Sequence, residues 1–242
     1  RSSSKGGVLM KDIYYTKYDI EYNNETGKGH GVILYDYAQF SGAEKSYQIS
    51  AVGGRLGELV GVDDYKSNLV IQCTFGIISP QFMSHVTVLK RWLKGTGTLV
   101  ISDHQNVFYK VWKVDYGDIE RELRKFGQFT VSFTCTPYQF EKDGLIPVSD
   151  IDYNPYDLCR PIYTITGTGA FTLTVNGNEM TGTVNGSITI DTERMVSYNA
   201  DGVSQNNVVT GNYEELYIPH GDVSVSVSGG TLSIIPQWGY DV

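Results

Sequence analysis

The run "QFTVSFTCTPYQF", Gln128 to Phe140, limits the fold more than any other stretch. Phe129, Val131, Phe133 and Cys135 alternate with Thr130, Ser132 and Thr134. Successive side chains of an extended strand point to opposite faces. A period of two therefore means a strand with one buried face and one polar face. Pro137 cannot donate to a ladder, so it stops or edges this strand. "NLVIQCTF" follows the same rule, with Leu69, Ile71, Cys73 and Phe75 in the apolar phase. Shorter alternating pieces recur near the C-terminus at Phe171–Leu173–Val175, Ile188–Ile190, Val223–Val225–Val227 and Leu232–Ile234. Frequent Gly (27) and Tyr (18) against few Pro (7) and Met (4) also suit strands and turns better than helices.

One segment reads differently. "SPQFMSHVTVLKRWLKGTG" predicts a helix near residues 80–94. Ser79 can cap it, Pro80 suits its first position, and Gly95 ends it. Phe82, Val86, Leu89 and Leu93 recur at helical spacing and form one apolar stripe. Lys90, Arg91 and Lys94 sit where the macrodipole favours cations. "DIERELRKFG" also has helical spacing but is short. The strands near Tyr14–Tyr47 are read as short and joined by a turn at "ETGKGHG".

After about Glu141 the composition shifts. "KDGLIPVSDIDYNPYDLCRP" is rich in Pro and Asp and reads as an irregular link. Beyond it the helix signal vanishes, and Asn176-Gly177, Asn185-Gly186, Asp201-Gly202 and Gly229-Gly230 are read as turns. Two domains are expected: residues 10–145, a β domain with one helix, and residues 146–242, a β-sandwich. Residues 1–9 read as a cloning remnant, with Met10 as the expected native start.

The search for chemistry returns little. A formal net charge of −8 argues against a surface that grips nucleic-acid backbone throughout. No apolar run reaches the ~18 residues of a membrane span. Cys73, Cys135 and Cys159 are odd in number and never spaced as CxxC. A disulfide framework and a thiolate metal site are therefore not expected, and a reducing cytoplasm suits the chain. His30, His85, His104 and His220 are scattered, without HExxH. No GxSxG supports a nucleophile elbow. No catalytic residue, cofactor or metal site is assigned, and a wall hydrolase is disfavoured. "SAVGGRLGELVG" (Ser50–Gly61) is neither a P-loop nor a dinucleotide fingerprint, because no helix follows; it reads as a turn between strands. Tyr213, Tyr217, Trp238 and Tyr240 could stack on sugars, although such aromatics more commonly belong to a core or its rim.

The order of four stretches resembles the distal tail protein family of long-tailed bacteriophages with non-contractile tails. They are "VGGRLGELVGVDDYKSNLVIQCTF"; the helix followed by "LKGTGTLVISDHQNVFYKVWKV"; "FTVSFTCTPYQF"; and a final block containing "GSITIDTERMVSYN", with Asp191, and the Pro219–Gly221 turn. Together they cover nearly all of the chain after about Tyr47. The resemblance implies a ring-forming, tail-tube-like N-terminal domain and a C-terminal sandwich like galectins or carbohydrate-binding modules. It implies a virion protein, assembled in the host cytoplasm, at the distal end of the tail. It also implies a hexameric ring, possibly stacked, around a channel for DNA. Its partners would be further copies of itself, the tail tube protein, tail-tip or tail-associated proteins and a receptor-binding protein, with no sequence-specific nucleic-acid binding and no membrane insertion. Gly54, Arg55, Gly57 and Glu58 would form a turn at the ring domain's interface. The alternative is a carbohydrate-binding module or adhesin reading host wall sugar, with Tyr213, Tyr217 and Trp238 on its sugar face.

Overall fold

The computed structural model describes residues 18–50, 54, 56, 59–120 and 126–242. The chain is mainly β, and α1 (Phe82–Trp92) is the single α-helix among the described residues. It divides into two compact units, one running to Gln139 and taking in Val242, the other Phe140–Asp241.

The first unit contains β1 (Ile20–Tyr22), β2 (Glu25–Thr26), β3 (Val32–Leu34), β4 (Gln39–Gly42), β5 (Lys45–Ser50), β6 (Leu59–Lys66), β7 (Leu69–Ile78), β8 (Gly97–Ile101), β9 (Val107–Glu120) and β10 (Phe126–Cys135). Its sheet runs β2-β1-β8-β9-β10-β7-β3, and β4 also pairs with β7. The two clearest alternating runs lie side by side and in phase. Cys73 is opposite Val131, Ile71 opposite Phe133, and Phe75 opposite Phe129, whose rings stack at 5.3 Å. One face of this pair is therefore continuously apolar, and α1 covers it with Phe82, Val86, Leu89 and Trp92. The opposite face carries Gln72 beside Ser132 and Thr74 beside Thr130, whose hydroxyls lie 3.3 Å apart.

The helix is shorter than the expected 80–94. Gln81, not Ser79, is the residue before the helix and its N–H donates to Ser79 Oγ, and Gly95 at φ +79° follows the other end. Carbonyls left unpaired at a helix C-terminus need partners. Tyrosines from the sheet supply them: Tyr116 donates to Lys90 and Leu93, and Tyr22 to Lys94 and Gly95. The helical spacing seen in "DIERELRKFG" does not make a helix at its start, since residues 118–120 belong to β9; residues 121–125 lie outside the described residues.

The second unit is built on one long hairpin, β13 (Ile162–Val175) and β14 (Asn178–Asp191), after β11 (Tyr138–Glu141), which begins in the first unit, and β12 (Tyr153–Asn154). Asn176 and Gly177, both at positive φ, close it with two residues. Beside β14 lie β15 (Val196–Asn199) and β16 (Val209–Thr210). β17 (Gly221–Asp222) pairs with β12, and β20 (Gly239–Asp241) ends the unit. On the other side of β13, β18 (Val225–Ser228) and β19 (Thr231–Ile235) follow one another as a single interrupted strand.

Two expected turns are not turns. Asn185-Gly186 stays inside β14, with Gly186 paired to Gly167, and Gly229-Gly230 is a step between β18 and β19 beside the same stretch of β13. Gly167, Gly169, Gly186, Gly229 and Gly230 thus gather where three strands approach closely. A Cβ on Gly229 would overlap the Ala170 carbonyl oxygen, and one on Gly167 would come within 2.8 Å of the Gly229 oxygen. Glycine is needed for close approach at positions 167, 229 and 230.

The Pro- and Asp-rich stretch is likewise no loose link. Val148 bridges Ile234, Cys159 bridges Ile218, and Ile151, Asn154 and Cys159 are buried.

Candidate assembly surface

The glycine-rich stretch lies between β5 and β6, which among the described residues pair only with each other and form a two-stranded arm. The sequence showed the turn but not β6, whose "LVGVDDYK" mixes apolar and acidic residues without clean alternation. Gly54 is exposed at φ +83°, with open space where a Cβ would be. Arg55, Gly57 and Glu58 lie outside the described residues. Leu56 is fully exposed. Tyr47 (58%) and Ile49 (61%) are exposed two residues apart on one strand, hence on one face of the arm.

A second display is Trp112, 61% exposed on β9. Lys113 pairs with Thr134 and Val111 with Cys135, so Trp112 is the extra residue of a β-bulge. Bulges re-aim a side chain, and nothing in the local alternation announces one.

The described residues contain no cluster of three or more His, Cys, Asp or Glu able to hold a metal. Three of the four histidines make contacts within the fold. The His30 ring stacks on Trp92 at 4.3 Å and reaches Glu25 at 2.5 Å; His85 donates to the His30 carbonyl; His220 lies 3.0 Å from the Tyr156 carbonyl. Burial pushes the Cys73 and Cys135 thiols up to about 12, so neither is a thiolate at neutral pH. Asp191 is buried and accepts the Arg194 N–H, fixing the turn after β14.

The three sugar-face candidates have different neighbours. Tyr213 Oη lies 2.8 Å from Ser197 Oγ, Arg160 sits over the Tyr217 ring, and Trp238 stacks on Tyr156 at 5.6 Å. Tyr240 meets Tyr156 edge-on at 5.2 Å.

An antiparallel sheet with one helix on its apolar face and a separate two-stranded arm, followed by a unit built on one long hairpin, defines the class of fold. A solved structure of that class, the crystal structure of the SPP1 Dit (gp 19.1) protein, is similar to 90% of this chain and 96% of its own. It is described as a paradigm of the hub adsorption apparatus in phages infecting Gram-positive bacteria. The TM-score is 0.61 and the sequence identity 9%, so the likeness is one of fold. No protein-family model matches the sequence, and no curated protein matches it.

Proposed function

We propose that this chain is a structural hub of a bacteriophage tail tip. Six copies form a ring that joins the tail tube to the tip and receptor-binding components and leaves a channel for DNA. The observation that carries this reading is the match in fold to a phage adsorption hub across both units. Two features of the first unit agree with it. The arm offers Tyr47, Ile49 and Leu56 to a neighbour, as a head-to-tail contact in a closed ring requires. The outer face of β7 and β10 presents Gln72, Thr74, Thr130 and Ser132, neutral groups that would let phosphates pass without holding them. In this role the protein has no hydrolytic activity on wall polymers.

Light scattering and negative-stain microscopy of the full chain test the proposal. Rings of six, single or stacked, are expected. A monomer at all accessible concentrations contradicts the hub, and a monomer that binds wall glycan favours the adhesin. Release of reducing ends by the pure protein would refute the non-enzymatic reading.

A further inference from the structure

We propose that a cavity in the first unit, walled by Tyr37, Phe40 and Tyr109, binds a quaternary ammonium group. Ala38, Ile101, Asp103 and His104 complete its lining, and its volume is about 170 Å³. The Phe40 and Tyr109 rings are 5.9 Å apart and inclined at 56°, so two aromatic walls meet at an angle. Across Tyr37 lies a second hollow of about 140 Å³, lined by Tyr18, Leu34, Tyr35 and Asp36. Phe40 (50%) and Tyr37 (55%) keep much of their surface in water, so their rings are available to a ligand.

Composition selects the ligand. The two linings contain four tyrosines, one phenylalanine and two aspartates, with no Lys or Arg among the described residues. Aromatic faces are negative at their centres and attract cations within ~6 Å. Asp103 adds a full negative charge beside them.

A neutral sugar would need several free donors and acceptors. Three of the four tyrosine hydroxyls here are already engaged: Tyr18 and Tyr37 with each other at 3.1 Å, Tyr109 with Gln139 at 3.2 Å. A primary ammonium would bring three N–H donors, for which the lining of the first cavity offers one carboxylate, Asp103. A quaternary ammonium has no N–H to satisfy, and its methyl groups pack directly on the rings.

Titration calorimetry of the full chain tests this with choline and with 3,3-dimethylbutan-1-ol, the same shape with carbon in place of nitrogen. Saturable choline binding is expected, about tenfold tighter than the alcohol. Asp103→Asn and Phe40→Ala should each weaken choline about threefold or more. Should Phe40→Ala fail to fold, Asp103→Asn alone decides. Equal affinity for the alcohol would show a merely apolar hole and overturn the proposal. So would tighter binding of lysine or N-acetylglucosamine, or absence of saturation below about 0.1 M choline.

Discussion

Cys73 and Cys135 show how burial alone fixes the chemistry of a side chain. Both thiols are pushed up to about 12, first by desolvation of the thiolate and, for Cys73, also by the nearby Cys135. The folded value therefore lies above the unfolded one near 9. The stabilisation is whole below pH 9 and is lost as pH rises toward 12. Urea unfolding should show stability falling by up to about 1.4 kcal/mol per pH unit per thiol in that window. A flat profile from pH 9 to 11 would contradict it. Asn154 is the other instructive residue. Fully buried, it donates to the Asp157, Ile218 and Pro219 carbonyls and accepts the Tyr156 N–H. Asn154→Ala should cost about 3 kcal/mol by leaving those groups unpaired. Asn154→Asp should cost at least as much, because a carboxylate cannot donate to three carbonyls. Chemical denaturation of the two variants checks both. Such roles were invisible beforehand: "DYNPYD" looks like any surface turn until Ile218 is folded against it.

Elements with strong periodicity were legible. β7, β10 and α1 declared themselves because each has one apolar face and enough length to show its period. The registers between them did not, since nothing in Phe129 names Phe75 as its neighbour. Glycine was the weakest guide. Asn176-Gly177 and Gly229-Gly230 look alike in the sequence, yet one closes a hairpin and the other lets two backbones approach. The difference is measurable by thermal unfolding of two variants. Gly177→Ala has open space and positive φ, and should cost about 1–2 kcal/mol. Gly229→Ala adds an overlap with a backbone oxygen and should cost more than about 3 kcal/mol. Equal losses would mean that the approach of the strands is unimportant.

The chain as a whole is two units with very different economies of contact. Composition misjudged the Pro- and Asp-rich stretch, which is fastened into the second unit. Chymotrypsin tests this on the full chain. Tyr153 is exposed, yet Asn154 is buried and β12 is paired, so cleavage between residues 141 and 160 should be absent while the fold holds. An early cut there would mean that the fastening is loose. The order of strands also sets a timetable for folding. β1 must wait for β8, with Ile20 pairing with Ile101, and β7 must wait for β10. On the ribosome the first half therefore emerges with its apolar faces open until Cys135 has been made. The second half can start at once, because two residues join β13 to β14. Local closure is fast and distant pairing slow. In refolding followed by pulsed hydrogen exchange, amides of β13 and β14 should gain protection before those of β1. The half made first would then be the half that finishes last.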